Sequence, residues 1–182
     1  MKNFPGPFME GGNSTNEMLS DLCKIETVES LVCSSAMFLI CGFNSRQLNG
    51  TRVQVYVAHA TAGTSNQNMY HYTQSYEHGG FRKFDYGQAM NLKKYGTPFA
   101  PEYNLRKINS TDIALLYGAN DWLADLKDVN FIRNQIGKDK LKMDYEVPLL
   151  SWNHLDFLYG LNAAEYVNVK VIELLSQYRN FP

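Results

Sequence analysis

The strongest constraint on the fold is a strand, helix and strand pattern in the second half of the sequence. Residues 113–117 form an apolar run that ends at Gly118, which is typical of a strand buried on both faces. Asp125 is placed to cap a following helix, and residues 141–147 then alternate between apolar and polar until Pro148. This order predicts two parallel strands joined by a crossover, and therefore an α/β protein.

Weaker patterns predict further elements elsewhere in the chain. They are a helix over 25–40 that ends at Gly42, a strand over 51–57, a helix from the cap Ser65 to His78, an irregular segment over 81–104, and a helix after a capping pair formed by Asn162 and Glu165. No internal repeat or low-complexity tract interrupts this order.

Two polar residues follow the two predicted parallel strands. Asp121 follows the first strand and His154 follows the second, so the topology brings their loops together at the edge where open α/β sheets keep functional groups. An aspartate that accepts from one imidazole nitrogen fixes the tautomer and stabilises the imidazolium, as in a hydrolase triad. Two interpretations are open: part of such a triad, or a loop histidine bonded to a capping aspartate.

The nucleophile of a triad is not visible in the sequence. In α/β-hydrolases the order is serine, then acid, then histidine, so the serine should precede Asp121. No G-x-S-x-G occurs in the 182 residues, and the nearest string, AGTSNQN at 62–68, lacks the closing glycine. A triad cannot be completed from this chain.

Other candidate residues have local interpretations. Asp125 and Asp128 lie where carboxylates favour the positive end of a helix, so we expect capping roles. Asp156 is too close to His154 in the chain to be its natural partner, and a role within the loop is expected. For His71, packing or hydrogen bonding is the expected role.

Composition and charge exclude several classes of protein. The chain has 45% hydrophobic residues and a net charge of −1, from 17 basic and 18 acidic residues, so it is neither disordered nor a basic nucleic-acid binder. The longest apolar run, 36–43, is far shorter than the ~20 residues of a membrane span. We expect no nucleic-acid partner and no transmembrane segment.

Cysteines and glycosylation sequons favour an oxidising compartment. The cysteines are Cys23, Cys33 and Cys41, and the sequons begin at Asn13, Asn49 and Asn109. The cysteines allow one local bridge or three reduced thiols, and their spacing does not suit a metal site. The first 15 residues lack the apolar core of a secretory signal. The two observations together predict the C-terminal portion of a longer secretory protein.

Several strings occur together in an order that is specific to one family. They are FLICGFNS (38–45), NGTRVQVYVAHATAGTSNQNMYHYTQ (49–74), FDYG (84–87), APEYNL (100–105), GANDWLADLKDV (118–129) and NHLDFLYG (153–160). With these strings the sequence resembles the acid lipases, the gastric and lysosomal family of neutral lipid hydrolases with many insect members.

The resemblance implies the C-terminal portion of an α/β-hydrolase with an inserted, mainly helical cap. It assigns residues 1–108 to the cap and its return, and residues 109–182 to the last two sheet strands and their helices. Asp121 then matches the catalytic aspartate and His154 the catalytic histidine. Cys23 and Cys33 match the disulfide of the cap, and Cys41 matches a free cysteine.

The resemblance also implies a substrate and a location. The complete protein would hydrolyse triglyceride or cholesteryl ester at a lipid–water interface, without metal or organic cofactor, and would be secreted or lysosomal. The chain alone is predicted to be inactive, because it lacks the serine. The alternative is a non-catalytic, lipase-like protein that binds lipid or a partner half.

Overall fold

The computed structural model describes residues 6–8, 42, 46–60 and 63–179. The predicted helix over 25–40 lies outside these residues. So do the predicted Cys23–Cys33 bridge, Cys41 and the Asn13 sequon.

The described part of the chain contains short strands and helices in a mixed order. In chain order these are β1 (Pro7–Phe8), α1 (Val53–Ala60), β2 (Thr64–Ser65), α2 (Asn66–His78), α3 (Gln88–Tyr95), β3 (Ile113–Tyr117), α4 (Leu126–Ile136), β4 (Leu141–Glu146), α5 (Asp156–Tyr159) and α6 (Val169–Ser176). Short 3₁₀ turns cover Gly50–Arg52, Leu105–Lys107 and Lys138–Lys140, and a π-helical turn, Ala164–Asn168, leads into α6.

The two strands β3 and β4 pair in parallel, as predicted. Their register runs from Ala114 opposite Met143 to Tyr117 opposite Glu146, and α4 makes the crossover. In β4, half-buried and exposed residues alternate, as the sequence pattern predicts. The prediction that β3 is buried on both faces is wrong, because its residues are only half-buried and β4 is its one paired neighbour within the described residues.

Helix α2 has the predicted bounds, and α2 and α4 both begin at the predicted caps. The Ser65 hydroxyl accepts a hydrogen bond from the backbone of the third residue of α2, and Gly79, with φ of +62°, ends that helix. Asp125 accepts two backbone N–H groups in the first turn of α4. Both helices therefore begin where the side chain before them satisfies their free N–H groups.

The strand predicted over 51–57 is wrong, because this segment is a 3₁₀ turn followed by α1. The Asn49 side chain accepts from the Thr51 backbone N–H at 3.1 Å and so starts a helical turn. Val53, Val55 and Val57 alternate as in a strand. Val53 and Val57 are also four residues apart, a spacing that places them on one face of a helix. Val53 is buried on that face.

The segment predicted to be irregular over 81–104 contains α3. Gly87 precedes this helix and Gly96, at φ of +74°, ends it in the left-handed conformation. Its buried residue is polar Asn91, so the sequence carries no apolar stripe from which the helix could be predicted.

The Asn162–Glu165 capping pair is not formed as predicted. The Glu165 N–H bonds to the Asn162 backbone carbonyl, and the two side chains meet at 3.4 Å. The helical segment after Asn162 therefore begins without a side-chain cap.

A small apolar core lies beneath the carboxyl end of β4. Its buried members are Val147, Trp152, Ala163 and Val167. Phe157 and Tyr166 meet the Trp152 ring edge to face, at centroid distances of 5.9 and 5.6 Å. This core supports the loop that carries His154.

Candidate active site

Asp121 lies just beyond β3 with its carboxylate fixed by its own loop. Its side chain is 4% exposed, and Oδ1 accepts the backbone N–H groups of Leu123 at 2.9 Å and Ala124 at 2.8 Å. Oδ2 is 3.0 Å from Nδ1 of His154. The two oxygens therefore have separate tasks: one anchors the carboxylate and the other receives the imidazole.

His154 is oriented by that contact and open to solvent on its other side. Its side chain is 45% exposed, and no group among the described residues bonds to Nε2. Since an ionised carboxylate only accepts hydrogen bonds, this contact favours the neutral tautomer with the proton on Nδ1 and the lone pair on Nε2. This tautomer is the one a general base needs.

The loops of Asp121 and His154 are bonded directly to each other. The Asn120 backbone N–H donates to the Trp152 carbonyl at 3.1 Å, and its side-chain amide donates to the Ser151 carbonyl at 3.2 Å. A Cβ on Gly118 would lie 2.5 Å from the Trp152 carbonyl oxygen. Glycine is therefore required where the two loops approach.

Asn153 and Asp156 form a reciprocal capping box around His154. The Asn153 Oδ1 accepts the backbone N–H groups of Leu155 at 2.9 Å and Asp156 at 3.2 Å. The Asp156 Oδ2 accepts the Asn153 N–H at 2.9 Å. Asp156 thus has the local role that the sequence predicts for it.

Gly42 reaches both loops from far away in the sequence. Its carbonyl accepts the Asn153 side-chain amide at 2.9 Å. Its φ is +118°, and a Cβ there would lie 2.0 Å from the Asn120 carbonyl oxygen. The sequence analysis does not identify Asn153 or Gly42 as site residues. The N-x-x-D spacing of Asn153 and Asp156, which is typical of a capping box, could have indicated Asn153.

The other predicted residues lie away from this pair. Nε2 of His71 is hydrogen-bonded to the Arg82 carbonyl at 2.9 Å, and the His71 ring meets the Phe84 ring edge-on. These contacts agree with the predicted role in packing and hydrogen bonding. The sequon residues Asn49 and Asn109 precede α1 and β3, and Asn109 is exposed. Their glycosylation stays a prediction.

The described residues hold neither a cluster of metal ligands nor a membrane-spanning helix. They contain no group of three or more His, Cys, Asp or Glu side chains that could hold a metal ion. None of the helices formed by them has the length and apolar character to cross a bilayer.

Comparison with known proteins identifies several similar lipases, while no protein-family model matches the chain. Lipase lipl-1 of Caenorhabditis elegans is 38% identical over 93% of this chain. The human lysosomal acid lipase/cholesteryl ester hydrolase is 40% identical over 81%, and the human gastric triacylglycerol lipase is 35% identical over 88%. The chain spans 42%, 36% and 39% of the lengths of these three proteins.

Proposed function

The chain is homologous to the acid, lysosomal and gastric lipases over most of its own length, and we propose that it supplies the aspartate and histidine of a Ser–His–Asp triad. Relatives of this kind imply an α/β-hydrolase-like fold and an ester hydrolase family. The nucleophilic serine belongs to a part of the whole protein outside these 182 residues, because they contain no G-x-S-x-G.

One observation carries this proposal. The buried Asp121 carboxylate contacts Nδ1 of a half-exposed imidazole at 3.0 Å, at the carboxyl ends of two neighbouring parallel strands. This is the geometry in which an aspartate holds a histidine as a general base, and it occurs at the sheet edge where α/β enzymes build their sites.

The reaction follows from these two positions. The serine Oγ attacks the ester carbonyl carbon while Nε2 of His154 takes its proton, and Asp121 stabilises the imidazolium. The ester C–O bond then breaks, and Nε2 returns the proton to the leaving alcohol. Water then attacks the acyl carbon while the same nitrogen takes its proton, the bond from the acyl carbon to the serine Oγ breaks, and Nε2 returns the proton to the serine as the acid leaves.

The substrate and setting of the whole protein are part of the proposal. We assign it neutral lipid esters, triglyceride or cholesteryl ester, met at a lipid–water interface, and a secreted or lysosomal location. Residues 1–108 form the cap and its return, and residues 109–182 form the last strands of the sheet. The cap disulfide joins Cys23 and Cys33, and the sequon asparagines carry glycans.

The first test concerns the chain by itself. The purified 182-residue chain is expected to show no turnover of p-nitrophenyl esters or of triglyceride emulsions, because the nucleophile is missing. Turnover that His154→Ala abolishes would contradict this assignment. Fatty-acid binding without turnover, retained when the chain is joined to its upstream sequence, would support the non-catalytic alternative.

The second test uses the longer protein read from the transcript upstream of Met1. There, Asp121→Asn is expected to lower kcat about ten-thousand-fold, since loss of the orienting carboxylate leaves the wrong tautomer. Asp125→Ala, which removes an exposed helix cap, is the control and should retain most of the rate. Equal rates for Asp121→Asn and the control would rule out the triad.

A further inference from the structure

The His154 loop contains two buried polar side chains that the proposed reaction does not use. Asn153 is 0% exposed and Asp156 is 1% exposed, although the imidazole between them is open to solvent. Burying polar groups costs free energy unless every group is bonded, and a fully bonded network makes its surroundings rigid.

Asn153 is bonded to the backbone and the side chain that follow the histidine. Its side-chain oxygen accepts the backbone N–H groups of Leu155 and Asp156, and its own backbone N–H donates to the Asp156 carboxylate. Its amide nitrogen donates to the Gly42 carbonyl, 111 residues away in the chain. The backbone that carries the imidazole therefore has little freedom to rotate.

The chain that follows Gly42 holds the far end of the same loop. The Gln47 backbone carbonyl accepts the Leu161 N–H at 2.9 Å, and its side chain accepts the Asn162 N–H at 2.9 Å. The Tyr56 ring stacks on Tyr159 at 4.3 Å. Gly42, Gln47 and Tyr56, called here the clamp, thus bracket the loop at both ends.

We propose that Asn153 is a positioning residue for His154 and that the Gly42 carbonyl couples the clamp to the Asp121–His154 pair. The role of Asn153 in catalysis rests on the proposed function, whereas its role in orienting the His154 ring does not. Gly42 lies within the region predicted to be the cap and its return. The bond from the Asn153 amide to the Gly42 carbonyl therefore joins that region to the residue next to His154.

The test is ¹⁵N–¹H NMR of the histidine side chains in the full 182-residue chain, at a pH where the imidazoles are neutral. The chain has four histidines, and the His154 resonance is assigned by its loss in His154→Gln. The unsubstituted chain should show His154 with its proton mainly on Nδ1. In Asn153→Ala the Nε2–H form should become the majority, because the ring is no longer held against Oδ2.

A second variant separates the two parts of the proposal. Asn153→Ser keeps an oxygen that can cap the turn but cannot reach the Gly42 carbonyl, so it should shift the tautomer ratio part of the way. Asp125→Ala removes the helix cap on the Asp121 side, has no contact with His154 and should leave the ratio unchanged.

The outcomes are distinguishable. An unchanged tautomer ratio in Asn153→Ala and Asn153→Ser, with both variants folded by circular dichroism, overturns the positioning role. If the alanine variant does not fold, Asn153→Ser decides alone. In the longer protein Asn153→Ser should lower kcat with little change in KM. A longer protein without ester turnover would refute the lipase function and leave the tautomer result standing.

Discussion

At the scale of single residues, the carboxylate of Asp121 is held independently of the histidine that it orients. Because Oδ1 is fixed by two backbone N–H groups, the position of Oδ2 does not depend on the protonation of His154. The acceptor is therefore in place before the imidazolium forms, and no reorganisation is needed during proton transfer.

Gly118 is one of the residues at which this arrangement is sensitive to an added methyl group. Gly118→Ala should destabilise the chain by about 1–3 kcal/mol, because its Cβ would overlap the Trp152 carbonyl. Gly50→Ala is the matched control, since a Cβ there meets no atom within 4 Å and its cost should stay under about 1 kcal/mol. Urea unfolding measures the stability of both variants. Equal stabilities for Gly118→Ala and Gly50→Ala would contradict the predicted overlap with the Trp152 carbonyl.

At the scale of elements, one arginine joins the crossover helix to both strands. Arg133 of α4 donates from Nη2 to the Tyr117 hydroxyl of β3 at 2.6 Å and to Asp144 of β4 at 2.8 Å. Its Nε is also 2.6 Å from the second Asp144 oxygen. Since the Arg133 side chain is only 14% exposed, its bonds to both strands hold the helix against the sheet more firmly than a fully exposed ion pair would.

The burial of Tyr117 gives the β3–β4 unit a pH dependence. Burial, and after it the Asp144 carboxylate, raise the pKa of Tyr117, against the opposing Arg133 guanidinium. A raised pKa means that stability is fully present below the unfolded value of about 10 and is lost as the pH rises through the folded value. In Tyr117→Phe the free energy of unfolding should therefore fall less steeply as the pH rises above about 10. Identical slopes for the two chains in denaturant titrations would refute this role.

The elements differ in how far the sequence could predict them. Helices α2 and α4 and strand β4 follow from local caps and periodicity, because the residues that fix them are neighbours in the chain. The segment of helix α1 is predicted as a strand, because valines at every second position also include a pair four residues apart, which suits a helix. Of the site, Asp121 and His154 follow from the topology, whereas the role of Gly42 depends on a contact 111 residues distant.

At the scale of the whole molecule, the described residues leave much apolar surface in contact with water. The exposed large apolar side chains around the sheet and its helices include Trp122, Leu123, Leu150, Leu158, Leu161, Val169, Ile172 and Leu175. Val169, Ile172 and Leu175 recur every three residues along α6, so they form one outward stripe. Surfaces of this kind are typical of contact faces, which agrees with the proposal of a larger protein.

We expect the isolated chain to self-associate through this stripe and through the edge of β3 that has no paired strand among the described residues. Ile172→Lys should lower the apparent mass at a given concentration, because it places a charge within the stripe. Glu173→Gln changes the net charge by the same amount, leaves the stripe intact and should have no such effect. Sedimentation velocity over a range of concentrations measures both, and a monomer at all concentrations would contradict the expectation.

The bonds from Gly42 and Gln47 also bear on the order in which the molecule folds. They close loops of 111 and 115 residues, whereas the caps of α2 and α4 join residues two or three apart. Closing a long loop costs chain entropy before any contact repays it, so contacts of this kind form late. We therefore expect the bonds that anchor the histidine loop to form after the caps of α2 and α4 during refolding.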